Sequence, residues 1–193
     1  MKTFELNGSV RTDLGKKATK ALRKAGNVPC ELYGGEENIH FSLSAKDLEK
    51  MIYTPEVFIA KINIDGKEVT GVMREIQFHP VTDKVLHIDF FQVFEEKPFE
   101  VELPIRVEGF AVGVQAGGKL AVGLRKLKVK GMMKDLPENL KIEVTELALG
   151  KSIQVGELSY ENLELLNAKN AVVVQVKLTR AARAAQQAAA AGQ

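Results

Sequence analysis

The chain has 193 residues, 45% hydrophobic and 27% charged, enough for one or two domains with a real core. That composition excludes a disordered chain. No run reaches the roughly 18 apolar residues of a membrane-spanning helix. The 27 basic and 25 acidic side chains leave a net charge of only +2, so any electrostatic role rests on where the charges lie. The first ten residues, MKTFELNGSV, lack the apolar core of a secretory signal, and the expectation is a cytoplasmic protein without membrane contact. A single cysteine, Cys30, excludes an internal disulfide and fits a reducing compartment. With only His40, His79 and His87 beside it, a Cys-rich zinc site is excluded as well, and no metal site is expected.

Residues 3–10 alternate and predict a strand. The next segment, GKKATKALRKAG (15–26), places Ala18, Leu22 and Ala25 on one face of a short helix. Lys16, Lys17, Lys20, Arg23 and Lys24 fill the rest of its circumference, and residues 14–28 contain no acid. Gly26 and Pro29 stop the helix. A face this cationic cannot be core; it meets water or an anion.

VPCELYGG (28–35) predicts a strand ending in a Gly34-Gly35 turn, which lacks the Lys-Ser/Thr continuation of a P-loop. Ser44 and Asp47 have capping-box spacing and open a second helix, with Leu48, Met51 and Ile52 on its buried face and Pro55 beyond its end. VFIAKINI (57–64) alternates up to Asp65-Gly66, a hairpin turn, and KEVTGVMREIQF is the return strand. Another strand is expected over 85–94, between Pro80 and Pro98. Residues 1–94 thus predict a small mixed domain: a twisted antiparallel sheet or barrel with two short helices.

A charged, Pro-containing stretch at Glu95–Pro98 reads as a link to a second domain over 98–180. Short strands are expected there at 100–107, 120–130, 140–144 and 171–177, punctuated by glycines. The overall class is mainly β (α+β). A second acid-free basic segment runs from 109 to 134. Within it, alternation sets Leu127 and Val129 against Lys126, Lys128 and Lys130, so the lysines face either a solvated surface or an RNA or protein neighbour. The Ala-rich tail, 181–193, has helix propensity but no pattern to anchor it, and a flexible end is expected.

Two kinds of chemistry compete for the polar residues. His87 and Asp89 lie two apart on a predicted strand, share a face, and with His79 could do acid–base work. No serine lies in a nucleophile elbow, and there is no dinucleotide fingerprint or HExxH. Cys30, beside Pro29 on an apolar strand, reads as a buried structural thiol. The other chemistry is nucleic-acid recognition. Tyr33, Gln77, His79, His87 and Asp89 would bond base edges and sugar hydroxyls while the helix cations hold phosphates.

Two segments favour the second. LRKAGNVPCELYGG (22–35) and IQFHPVTDKVLHIDF (76–90) resemble the signature segments of a bacterial family. It is the 5S-rRNA-binding protein number twenty-five of the large ribosomal subunit, in the long two-domain form also called Ctc, a general stress protein. DLPENLKIEVTEL (135–147) and LALGKSIQVGEL (147–158) resemble the β domain that ends the long form. The resemblance implies a six-stranded barrel-like first domain that binds 5S rRNA in its loop E region. It also implies a monomer in the central protuberance beside other ribosomal components, with no cofactor of its own and magnesium held by the RNA. By position, the RNA-facing set it implies is Arg11, Lys16, Thr19, Lys20, Arg23, Tyr33, Gln77, His79, His87 and Asp89. Lys16, Lys20 and Arg23 suit phosphates. Gln77 and His79 alternate onto one strand face. Asp89, repelled by phosphate, should accept from an amino group or a 2′-hydroxyl.

Two departures stand out. Thr19-Lys20 replaces a common Ser-Arg, losing arginine's bidentate fork. Phe78 replaces an arginine between Gln77 and His79, as core or as a stacking surface. Both imply weaker electrostatic binding than in an Arg-rich relative. Two alternatives remain: a stress-response interaction protein acting off the ribosome, and an enzyme using His87 and Asp89.

Overall fold

Alternating apolar residues close the first half of the chain into a barrel. The computed structural model describes residues 2–180, 182 and 183. Its first elements are β1 (Lys2–Val10), α1 (Lys16–Lys24), β2 (Asn27–Tyr33), β3 (Ile39–Ser44), α2 (Ala45–Ile52), β4 (Phe58–Ile64), β5 (Lys67–Phe78) and β6 (Val85–Gln92). The six strands form a closed barrel in the order β1-β3-β2-β6-β5-β4. Antiparallel pairing joins β1 to β3, β3 to β2, β6 to β5 and β5 to β4. Two parallel pairs, β2 with β6 and β1 with β4, complete the circle. The barrel with two helices is therefore as expected, but it is mixed rather than antiparallel.

Inward positions fill the interior. Leu6, Cys30, Leu32, Phe41, Leu43, Ile62, Ile88 and Phe90 are buried, and Leu48 and Met51 of α2 join them. Ser44 occupies the N-cap of α2 as its spacing implied, but its hydroxyl makes no capping bond. The Ala45 N–H instead donates to the Gly26 carbonyl at 3.0 Å. Asp65 (φ 48°) and Gly66 (φ 92°) make the β4–β5 turn with both central residues left-handed, the geometry that favours Asp-Gly in a two-residue hairpin.

The chain divides into two compact units. One holds the residues up to Val101 and takes in Gly131–Glu138, while the other holds Glu102–Lys130 and the residues from Asn139 onward. The second half continues with β7 (Phe99–Glu108), α3 (Val112–Gln115), β8 (Lys119–Val122), β9 (Lys126–Gly131), β10 (Leu140–Glu143), β11 (Ser152–Gln154), β12 (Glu164–Leu165) and β13 (Val172–Lys177). They form two sheets, β10-β7-β9-β12 and β11-β13-β8.

The single strand expected over 120–130 is in fact β8 and β9, which belong to different sheets. The chain breaks at Gly123, whose N–H donates to the Val173 carbonyl at 2.8 Å. A Cβ there would lie 2.5 Å from the Val172 carbonyl oxygen. The short strands β11 and β12 carried no sequence signal. At the start of the tail, the Thr179 hydroxyl donates to the Gly117 carbonyl at 2.7 Å and accepts from the Ala182 N–H at 3.2 Å. Ala182 is buried; the expectation for the rest of the tail falls outside the described residues.

Truncating Leu48→Ala should cost about 2–5 kcal/mol, read from denaturant midpoints, because its side chain is wholly buried. Burial also pushes the Cys30 thiol up, far from its reactive range. Cys30 should therefore resist a thiol-reactive reagent in the native protein and react on unfolding. Rapid labelling without denaturant would contradict the burial.

Candidate nucleic-acid interface

Helix α1 lies against β2. It begins at Gly15, whose φ of 108° is a conformation other residues rarely adopt. Ala18, Thr19 and Leu22 are half-buried, while Ala25, expected on the apolar face, is exposed and serves as the C-cap. Lys16, Lys17, Lys20, Arg23 and Lys24 are exposed. The first turn carries no acid, whereas Arg23 and Lys24 suit the negative end of the helix dipole. Thr19 is committed locally: its hydroxyl donates to the Gly15 carbonyl at 2.9 Å, with the Lys16 carbonyl at 3.1 Å. Only its lone pairs are left for a ligand. Arg23 Nε donates to the Leu86 carbonyl at 2.9 Å, a role the sequence did not reveal. Arg11 continues from β1, its N–H donating to the His40 carbonyl at 2.9 Å.

The strands next to α1 carry the polar residues. His87 Nδ1 lies 2.7 Å from Asp89 Oδ1, both half-buried on the outer side of β6. Register adds neighbours the sequence could not: Asp89 stands opposite Glu31 on β2 and opposite Glu75 on β5. Glu31 in turn stands opposite His40, at 4.0 Å between Nδ1 and Oε2. A row His40, Glu31, Asp89, Glu75 thus crosses four strands. Gln77 is exposed and opposite His87. Tyr33 packs edge-on against Phe91, ring centres 5.5 Å apart, and the Arg74 guanidinium lies 5.5 Å from the Phe91 ring centre.

His79 does not share a strand face with Gln77, because β5 ends at Phe78. It organises the following loop instead. Its Nδ1 accepts from the Val81 and Thr82 N–H groups at 3.3 and 3.2 Å, and its carbonyl accepts from Asp83 at 3.0 Å. Accepting at Nδ1 puts the proton on Nε2. His87 is the converse: Nδ1–H donates to Asp89, so Nε2 of the neutral ring accepts. The two histidines offer opposite hydrogen-bonding character. Phe78 is 43% exposed, which settles it as surface rather than core.

The second basic segment is more nearly balanced. Leu127 and Val129 are buried and Lys126, Lys128 and Lys130 exposed, as alternation implied. Lys128 Nζ lies 3.7 Å from Glu102, and Lys130 stands opposite Glu164. Two of the three lysines therefore have a carboxylate beside them. Among the described residues, no group of three or more His, Cys, Asp or Glu side chains could hold a metal ion. Nor is any described helix long and apolar enough to cross a membrane.

Comparison with known proteins agrees with this architecture. The family model of the ribosomal L25p family matches residues 6–90, and that of the ribosomal protein TL5 C-terminal domain matches residues 98–180. A relative from Phocaeicola vulgatus is 55% identical over 96% of this chain and 97% of its own length. One from Bacteroides fragilis is 52% identical over the full length of both. Both are large ribosomal subunit proteins bL25 by name. The chain belongs to the ribosomal L25p family. All ten residues expected from the sequence to face RNA fall within the segment matched to that family, and Lys126, Lys128 and Lys130 fall within the C-terminal match.

The carboxylate row leads to a stability prediction. Like charges opposite one another on a sheet are destabilising, and Asp89 faces two of them. Asp89→Asn keeps an oxygen to accept from His87 and removes the central charge. Its stability in the free protein should equal wild type or exceed it by up to about 1 kcal/mol. A loss of more than that in thermal or denaturant unfolding would show the Asp89 charge to be a structural support.

Proposed function

We propose that this chain is a structural component of the large ribosomal subunit that binds 5S rRNA at its loop E region, within the central protuberance. The observation that carries the reading is the juxtaposition on one barrel: an acid-free cationic helix beside β2, and a polar row on β2, β6 and β5. Phosphates belong along α1, held by Lys16, Lys20 and Arg23 with Arg11 nearby. They are disfavoured over Glu31, Asp89 and Glu75. The carboxylates instead suit base amino groups and 2′-hydroxyls, which donate. His79 Nε2 donates and His87 Nε2 accepts, while Gln77 does both, so together these side chains form a pattern that shape and sequence must match. Tyr33, braced by Phe91, and exposed Phe78 offer apolar surface to an unstacked base. Magnesium would be held by the RNA. The protein would act as a monomer in the cytoplasm, with its second domain turned to other subunit components. Relatives named as ribosomal proteins weigh against the enzymatic alternative.

The test is binding to a loop E fragment across a salt series. Each phosphate contact contributes about 0.7–0.9 to the slope of log K against log salt. Lys20→Ala should lower the slope by about that amount and weaken binding to any RNA alike. Asp89→Asn should leave the slope unchanged and reduce the preference for loop E over an unrelated hairpin. Equal affinity of the wild type for both RNAs would overturn the assignment.

A further inference from the structure

The helix that carries Lys16, Lys17, Lys20, Arg23 and Lys24 is weakly held. Every residue of α1 keeps some exposure. Its nine residues fall below the roughly 12–15 that an isolated helix needs. Glycine at the N-cap supplies no side-chain cap, and Lys16 and Lys17 stand at the positive end of the dipole. Its other charged residues are also cations, so no ion pair forms along its surface. Tertiary contacts must therefore fix it, and partial burial of Ala18 and Leu22 gives only a narrow seat.

Arg23 supplies a second hold, at a particular place. Opposite β5, Gln77 pairs with His87 and Phe78 with Val85, so Leu86 is the residue left over at a register shift. Leu86 also lies outside the Ile88–Phe91 stretch of β6 that pairs with β2. Its carbonyl accepts from Arg23 Nε at 2.9 Å. The next residue is His87, bonded to Asp89.

We propose that Arg23 is a positioning residue: its Nε–H pins the last turn of α1 to the bulge in β6, one residue from the His87–Asp89 pair. The spacing between the phosphate-binding helix and the hydrogen-bonding row is thereby set before RNA arrives. The functional consequence rests on the RNA-binding reading; the strap itself is a property of the free chain. Arginine suits the task because its guanidinium is a planar fork. Nε donates to a carbonyl, and the exposed side chain leaves its Nη groups available to an anion. Lysine, with one nitrogen, cannot serve both directions in that geometry. Arg23 is the only arginine in α1; its other cations are lysines.

Three variants of the full chain separate positioning from charge: Arg23→Lys, Arg23→Ala and Lys20→Ala. Amide hydrogen exchange in the free protein reads the strap directly. Losing a charge-assisted hydrogen bond should speed exchange over Thr19–Lys24 by about tenfold in both Arg23 variants. Barrel amides should keep wild-type rates, and Lys20→Ala should leave α1 unchanged. With the loop E fragment, Arg23→Lys should keep the wild-type salt slope yet bind about tenfold more weakly. Lys20→Ala should lower the slope. Wild-type exchange in α1 of Arg23→Lys would overturn the proposal, as would wild-type affinity for loop E despite faster exchange. If the wild type itself shows no loop E preference, the RNA reading fails, and the exchange rates still decide the strap.

Discussion

The parallel pairing of β2 with β6 is the constraint on which the interface depends. It joins two strands separated by some of the longest sequence intervals in the barrel, setting Cys30 against Ile88 inside and Glu31 against Asp89 outside. Without it, α1 would lie beside a strand remote from His87 and Asp89. With it, the strand that follows the cationic helix in sequence and the strand that carries the polar pair become neighbours. The apolar side of the same pairing contributes Cys30, Leu32, Ile88 and Phe90 to the core. One register therefore packs the core on one face and sets out the polar row on the other. A slip by one residue would exchange the two faces and destroy both.

The outer surface divides its electrostatic labour. Positive charge gathers on α1, and negative charge gathers on the sheet row that Glu31, Asp89 and Glu75 form. A uniformly basic face would hold any polyanion. A basic ridge beside an acidic row favours a ligand that offers phosphates along one line and donor groups along another. The net charge of +2 is thus a sum that conceals the arrangement.

Much of this was legible in the chain itself. Strand patterns marked β1, β2 and β4 to β6 but not β3, Asp65-Gly66 marked the hairpin, and the acid-free run over 14–28 marked the cationic helix. What escaped was whatever depends on partners distant in sequence. Alternation shows that Glu31 points outward, but only strand order reveals that it faces Asp89. His79 follows Gln77 at strand spacing, yet the strand ends between them, and backbone donors from the loop capture its ring. Arg23 looked like one phosphate ligand among several; its bond to Leu86 spans 63 residues and arises at a bulge no local pattern announces. The break at Gly123 was missed for a related reason. The flanking residues have strand character, and it is the close approach of the Val172 backbone that demands glycine there.

Closure of the barrel has one more consequence. An open sheet ends in strands with unsatisfied backbone groups, which invite pairing with other chains. In the barrel each strand is bonded on both sides, β1 and β4 to each other by parallel pairing. The second half keeps open sheets, but their four edge strands, β10, β12, β11 and β8, are only four, two, three and four residues long. Edges that short offer little template. A component of a large assembly is made apart from its partners and must remain solitary until it meets them. Among the described residues, this topology leaves only short strand edges open to pairing with another chain.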